Sequence, residues 1–121
     1  MQFKLKITAK PVAIENEEGK EVQYELREMS AQARDRYLDR LQGRMRIDKD
    51  GRPAGLSKYE GLQADLVSSC LYVQETGASV PQIEVQKWPS SVVAELFKEA
   101  QILNHLNEEK SEKKDEPEKN G

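Results

Sequence analysis

Residues 61–106 read GLQADLVSSCLYVQETGASVPQIEVQKWPSSVVAELFKEAQILNHL and carry the clearest structural pattern of the chain. Its apolar residues recur every three or four positions in two separate places, which is the spacing of an amphipathic helix. A connection containing Gly77 and Pro81 joins the two patterns, so they predict a small packing and docking module. The two apolar stripes are Leu62, Leu66, Cys70, Val73 and Val93, Leu96, Phe97, Ala100, Leu103.

Four local signals predict where these helices begin and end. Residues 57–60 (SKYE) form a capping-box pattern, in which Ser and Glu side chains satisfy backbone N–H groups at a helix start. Gly77 suits a helix-ending position. Residues 83–87 predict one short helical turn, and Pro89 suits the first turn of the last helix.

The N-terminal part alternates apolar and polar residues at 3–8 (FKLKIT) and again at 22–27 (VQYELR), which predicts two strands. Pro11 is expected to end the first strand, and Asn16 with Gly19 supplies turn-tolerant residues. The simplest arrangement is an antiparallel hairpin with a long connection. Because a lone strand pair is marginal in water, its apolar face is expected to lie on helices.

Ser30 is a suitable N-cap for a further helix, whose apolar residues recur at helical spacing to about Met45. Residues 48–56 (DKDGRPAGL) are rich in Gly and Pro and predict a loop. The predicted fold class is therefore α+β and mostly α. It consists of an N-terminal antiparallel hairpin on three main helices, plus a short helical turn.

The last fifteen residues differ in composition from the rest. Residues 107–121 contain no apolar side chain, with six acids and four lysines. Such a segment cannot bury enough surface to offset its ordering entropy, so it predicts a disordered charged tail. The 121-residue chain is then one globular domain at 1–106 and a tail at 107–121.

Composition also predicts the compartment. The single cysteine, Cys70, excludes an internal disulfide, and the start MQFKLKITAK lacks the unbroken apolar run of a signal peptide. No apolar run approaches the length of a membrane span. These features predict a cytoplasmic protein with no membrane association.

The residues that could carry chemistry do not form a recognisable site. Residues 48–51 (DKDG) resemble the start of a calcium loop, but the later ligand positions of such a loop are not acidic, so a surface turn is favoured. His105 is the only histidine, Cys70 lies on an apolar stripe, and Ser68 and Ser69 lack a base. The sequence predicts no enzyme activity, no cofactor and no metal.

Arg36, Arg40 and Arg44 are spaced four residues apart and therefore share a helix stripe. A phosphate-binding ridge and a solvated or self-associating face both fit this spacing. Interleaved aspartates and a sequence pI near 5.3 argue against nucleic-acid binding, which needs a uniformly basic surface.

Trp88 has two competing interpretations. It packs the bend between two helices, or it anchors a partner, because tryptophan on a proline-stiffened corner beside Val92 and Phe97 is typical of interfaces. Strand edges offer a second docking surface. The candidate partner-binding residues are Trp88, Val92, Phe97, Tyr72, Arg36, Arg40 and Arg44.

Residues 22–106 resemble the tail assembly chaperones of long-tailed bacteriophages and prophages. The resemblance lies in the order of elements: an extended N-terminal segment, a charged helix, GLQADLVSSCLY, a Gly turn, a Pro-initiated helix start and LFKEAQILNHL before an acidic tail. It implies a small helper in the host cytoplasm that is absent from the mature virion.

The same resemblance implies partners rather than catalysis. Family members bind the tape measure protein, help recruit tail tube subunits and commonly self-associate, so a homo-oligomer is expected. A longer form often arises by a ribosomal frameshift, for which an adenine-rich run encoding residues 112–114 would suffice. The alternative is a structural tail or head-tail connector subunit that stays in the virion.

Overall fold

A computed structural model describes residues 1–106, so the tail predicted at 107–121 lies outside the described residues. The predicted α+β class is confirmed, with an antiparallel hairpin, three longer helices and one short helix within 1–106. In chain order the elements are β1 Ala9–Glu15, β2 Glu21–Arg27, α1 Ala31–Gln42, β3 Met45–Ile47, β4 Pro53–Leu56, α2 Leu62–Cys70, β5 Leu71–Val73, α3 Gln82–Val85 and α4 Ser90–Leu103.

The turn between β1 and β2 sets the register of the first hairpin. The Asn16 side-chain Oδ1 accepts hydrogen bonds from two backbone N–H groups of the turn, both at 2.9 Å. Gly19 supplies the left-handed backbone, with φ +83°. This turn, which the sequence predicts, brings Glu15 opposite Glu21.

The predicted position of the first strand is wrong. Residues 3–8 lie outside the sheet, and β1 occupies the segment expected to be a connection. Pro11, expected to end a strand, lies inside β1. The Glu28 N–H donates to the Thr8 C=O at 2.8 Å. Because bonded pairs alternate along an antiparallel ladder, the backbone N–H and C=O groups of the even-numbered residues of β1 point towards β2. The N–H that Pro11 lacks would therefore point away from β2, so an edge strand tolerates this proline.

Strand β5 completes a three-stranded antiparallel sheet of order β1-β2-β5, and the sequence does not predict it. Helix α2 ends at Cys70, and Leu71 pairs opposite Leu26 of β2. Val73, predicted on the helix stripe, consequently lies in β5. Gly77 does not end a helix, because its N–H bonds to the Val73 C=O at 2.7 Å in a turn after β5. Pairing with β2 gives this segment backbone partners that replace helical ones.

A second hairpin, β3 with β4, replaces the end of the predicted helix and much of the predicted loop. Helix α1 ends at Gln42, and Met45 pairs opposite Leu56. The Asp48 side-chain Oδ1 accepts two backbone N–H groups at 2.9 Å and closes the turn. Residues 48–51 thus form the expected surface turn, although strands flank it.

The two predicted serine caps have different outcomes. Ser30 is the N-cap of α1, and its Oγ accepts the Ala33 N–H at 3.1 Å. The capping box at 57–60 does not form. The backbone N–H and the Oγ of Ser57 both donate to the Arg44 C=O, at 2.7 and 3.2 Å. Gly61, with φ +79°, instead precedes α2, because the bonds to Arg44 hold Ser57 near the second hairpin.

Helix α2 runs through the centre of the core. Its Leu66, Val67 and Cys70 are fully buried and belong to one cluster that includes side chains of α3, α4 and the first sheet. The predicted stripe of α4 is confirmed: three members are buried, and Phe97 and Leu103 are partly buried against the core. This packing places the α3–α4 corner between the first hairpin and the beginning of α2.

Candidate partner-binding site

Trp88 stands at the corner between α3 and α4. Val85 of α3 is fully buried and anchors the corner, and the Trp88 backbone N–H donates to the Val85 C=O at 3.1 Å. Pro89 follows and restricts the backbone where α4 begins. The indole meets the Tyr24 ring edge-on, with centroids 5.9 Å apart, and remains half-buried. Trp88 thus packs the bend and also keeps accessible surface.

A groove of about 620 Å³ lies between Trp88 and the beginning of α2. Two large side chains on it, Tyr59 and Ile83, are 69% and 67% exposed, so an apolar surface faces solvent there. A concave apolar surface of this kind is typical of a docking site. This surface, called the α2–α3 groove below, has an apolar lining of Tyr59, Leu62, Ala64, Ile83, Trp88 and Val93.

A second groove, of about 720 Å³, lies between Trp88 and the first hairpin. It is called the hairpin groove below. Burial, followed by the carboxylate of Glu84, raises the pKa of the Tyr24 hydroxyl that lines it. Its apolar lining is Ile14, Tyr24, Trp88, Pro89 and Val92, and its charged lining is Glu15, Glu17, Glu84 and Lys87. The hairpin groove therefore combines an apolar floor with an acidic rim.

The three candidate arginines do not act as one open stripe. Arg40 grips Asp65 of α2 with two nitrogens, at distances of 2.8 to 3.1 Å, and this hydrogen bonding raises the pKa of Arg40. The Arg44 guanidinium donates to the C=O groups of Lys58 and Glu60, at 2.9 and 3.0 Å. Arg36 is exposed. Two of the three arginines thus have roles within the fold.

Tyr72 and Phe97 lie apart from the two grooves. Tyr72 of β5 pairs opposite Glu25, on the sheet face away from Leu71, and the Arg27 guanidinium lies 4.2 Å from its ring centroid. Phe97 contributes to the core of the domain. Of the predicted partner-binding residues, Trp88 and Val92 line the hairpin groove, and Arg40 and Arg44 line a separate, more polar groove beside Asp65 and Lys58.

The buried or half-buried nucleophilic side chains, those of Cys70, Ser68 and Ser69, make packing contacts or hydrogen bonds within the fold. Burial raises the pKa of the Cys70 thiol to about 11, and a hydrogen bond with the Asn104 side chain partly opposes the shift. The Ser68 hydroxyl donates to the Val80 C=O and the Ser69 hydroxyl to a C=O of α2, both at 2.8 Å. Across residues 1–106 no group of three His, Cys, Asp or Glu side chains is placed to hold a metal ion.

Sequence reasoning missed three residues, of which Tyr59 and Ile83 line the α2–α3 groove and Asp65 joins α2 to α1. The sequence patterns place Tyr59 in a capping box and Ile83 in a short helical turn, although both are large apolar residues outside the helix stripes. Asp65 interrupts an apolar helix, which could have signalled a buried ion pair. A large apolar residue that belongs to no helix stripe is the sequence signal for positions such as those of Tyr59 and Ile83.

Fold and site together define a small α+β protein with two apolar grooves flanking one tryptophan. Comparison with protein-family models, with curated protein sequences and with solved structures found no match for this chain. In the described part of the chain, no helix combines the length and apolar content that crossing a membrane would require.

Proposed function

We propose that this protein is a non-catalytic binding protein that takes amphipathic helices of a partner into the α2–α3 groove. More particularly, it is a tail assembly chaperone of a long-tailed bacteriophage or prophage, and its partner is the tape measure protein. The exposed apolar side chains of Tyr59 and Ile83, beside half-buried Trp88, carry the proposal. The resemblance of residues 22–106 to that family supports the particular function.

The α2–α3 groove suits one face of a helix. An amphipathic helix presents apolar side chains every three or four residues and lays that stripe into an apolar groove. Trp88 is held on a stiff corner, so little side-chain entropy is lost when it becomes an anchor. Glu60, Gln63 and Lys87 line the same groove and offer polar contacts around the apolar centre.

The proposal extends to the wider role of the family. The protein acts in the cytoplasm of the bacterial host, also helps to recruit tail tube subunits, and is absent from the mature virion. Segregated charge supports such multiple contacts, since acids dominate residues 15–28 and bases dominate 34–52. Participation of Cys70 and Ser68 in the packing of the fold supports a role without catalysis.

Co-expression tests the proposal. The full chain is produced together with a candidate tape measure protein, and the soluble fraction of the tape measure protein is measured. We expect the wild-type chain to keep the tape measure protein soluble and the Ile83→Asp chain to lose this effect. The dissociation constant of the complex should rise at least ~tenfold in Ile83→Asp. Ile47→Asp is the matched control, because Ile47 is 61% exposed and lies in β3, outside the groove.

Two outcomes would contradict the proposal. One is a tape measure protein that stays equally insoluble with and without this chain. The other is equal loss of solubilisation in Ile83→Asp and Ile47→Asp. Mass spectrometry of purified tails provides the second readout: a fixed number of copies per tail would favour the structural-subunit alternative.

A further inference from the structure

The N-terminal segment 1–8, called the arm below, extends past the end of the first sheet. Thr8 is its last anchored residue: the Thr8 C=O accepts the Glu28 N–H at 2.8 Å, and the Thr8 N–H donates to the Glu28 side chain at 3.3 Å. Beyond Glu28 the chain turns into α1, so β2 provides no partner for residues 1–7. Within the described residues, no strand pairs with this segment.

The arm has the composition of a strand that buries one face. Phe3, Leu5 and Ile7 alternate with Lys4 and Lys6, so an extended arm puts its apolar side chains on one side and its lysines on the other. Leu5 is 99% exposed, and its two apolar neighbours are also exposed. Three large apolar side chains exposed in a row mark an interaction surface.

The hairpin groove is complementary to the arm in both properties. Its floor of Ile14, Tyr24, Trp88 and Val92 is apolar, as is one side of the arm. Its rim carries three carboxylates, from Glu15, Glu17 and Glu84, against the single ammonium of Lys87. Opposite charge on the two surfaces favours docking in one orientation and raises the association rate.

Chain length prevents most of the arm from reaching the groove of its own copy. The near end of the groove floor is Tyr24, which pairs opposite Val12, four residues along β1 from Thr8 and ~13 Å away at the rise of a strand. Ile14 lies six residues from Thr8, at ~20 Å. Even when fully extended from Thr8, Phe3 reaches at most ~17 Å, Leu5 ~10 Å and Ile7 ~3 Å. At most Phe3 reaches the groove of its own copy, so the three apolar side chains of the arm cannot fill this groove together within one molecule.

We propose that the arm of one copy docks in the hairpin groove of a second copy of this chain. Phe3, Leu5 and Ile7 contact the apolar floor, and Lys4 and Lys6 reach the carboxylates of the rim. Reciprocal exchange closes a two-fold dimer, whereas one-way exchange builds a ring. The α2–α3 groove lies on the other side of Trp88 and stays available to a partner.

Sedimentation analysis of the full chain over a range of concentrations tests this inference. We expect a concentration-dependent oligomer whose dissociation constant rises about a hundredfold in Leu5→Asp. Lys4→Glu/Lys6→Glu should raise it about tenfold at low salt, because like charges then meet at the rim. Adding Glu15→Lys/Glu17→Lys to this variant should restore most of the association.

Lys49→Glu/Lys58→Glu is the matched control, since it changes net charge equally at exposed positions outside the hairpin groove, and it should leave the oligomer unchanged. A second readout uses the only tryptophan. Adding a peptide of residues 1–8 to the Leu5→Asp chain should shift Trp88 emission saturably, and Glu15→Lys/Glu17→Lys should weaken the shift.

Three results would overturn the inference. They are a wild type that stays monomeric at all concentrations, an oligomer that Leu5→Asp leaves unchanged, and a charge exchange that restores nothing. If Leu5→Asp weakens only the solubilisation of the tape measure protein, the arm serves that partner and the self-association proposed for it is wrong.

Discussion

Asn104 joins three parts of the fold at one buried point. Its Oδ1 accepts the Met29 N–H at 2.8 Å, while its Nδ2 donates to the Ala100 C=O at 2.9 Å and lies 3.3 Å from the Cys70 sulfur. Asn104 is only 4% exposed, so water cannot readily replace these bonds. This side chain therefore links the end of α4 to α2 and to the segment before α1.

We expect Asn104→Ala to lower the free energy of unfolding by about 2 to 3 kcal/mol, because it leaves the buried Met29 N–H without an acceptor. Urea unfolding at neutral pH measures the change. Gln101→Ala, on the same helix and half-exposed, should change the free energy by less than about 0.5 kcal/mol. A loss below about 1 kcal/mol for Asn104→Ala would contradict the role assigned to this side chain.

Replacing Arg40 and replacing Asp65 should lower the free energy of unfolding by different amounts. Asp65 is buried and Arg40 is about half exposed, so removing the arginine leaves a buried charge, whereas removing the aspartate lets the arginine return to water. We expect Arg40→Leu to cost about 2 kcal/mol and Arg40→Leu/Asp65→Leu to recover more than half of that loss. Urea unfolding of both single variants and the double variant gives the coupling; additive losses would show that the pair is not coupled.

At the scale of elements, Ser30 and Ser57 provide a matched comparison. Ser30 caps α1 through its Oγ, while Ser57 lies four residues before the Gly61 cap of α2 and bonds to Arg44 instead. We expect Ser30→Ala to cost about 1 kcal/mol and Ser57→Ala no more than about 0.5 kcal/mol. Thermal or urea unfolding distinguishes them, and equal losses would restore the capping-box interpretation of residues 57–60.

The strands show how pairing outweighs local pattern. Residues 3–8 have a regular strand alternation but lie past the point where β2 turns into α1. Residues 9–15 include Pro11, yet they form β1 because the short turn at Asn16 brings them alongside β2. An element thus forms where a backbone partner is in reach, and the unused alternation of the arm is explained if its partner is another copy.

At the scale of the whole molecule, stability should fall in alkaline solution. Burial raises the pKa of the Cys70 thiol from its usual value near 9 to about 11, and burial is also the main cause of raised pKa values at Tyr24 and Tyr37. Each group is neutral when protonated, so the folded state binds these protons more tightly than the unfolded state. The stabilisation is complete below about pH 9 and is lost as pH rises through the folded pKa.

We therefore expect a free energy of unfolding that is level from neutral pH to about pH 9 and then falls by about 1 kcal/mol per pH unit towards pH 11. Urea unfolding at a series of pH values measures it. Cys70→Ala should reduce the slope above pH 9, since it removes the group with the largest shift. A slope that this variant leaves unaltered would mean that the tyrosines account for the whole effect.

The two grooves on either side of Trp88 should be separable by mutation. We expect Ile83→Asp to weaken binding of the tape measure protein by at least ~tenfold and to leave self-association intact. Lys4→Glu/Lys6→Glu should weaken self-association and leave binding of the tape measure protein intact. Trp88→Ala should weaken both, because Trp88 lines both grooves. Pull-down and sedimentation on the same preparations test this. A Trp88→Ala chain that loses only tape measure binding or only self-association would contradict the assignment of Trp88 to both grooves.

Features whose cause is local follow from the sequence alone. The α4 stripe, the Ser30 cap, the strand at 22–27 and the Asn16 turn each depend on side chains within a few residues. The sequence also indicates Trp88 as an interface candidate, because a tryptophan beside a proline is held on a stiff corner.

Three other features depend on how distant segments pack: where β1 begins, that α2 is followed directly by β5, and that Tyr59 and Ile83 share a groove with Trp88. These outcomes depend on contacts between segments far apart in the chain, such as Leu71 opposite Leu26. The free energy of such a contact depends on which surfaces meet after folding, and that is a property of the assembled core that a local window of sequence does not contain.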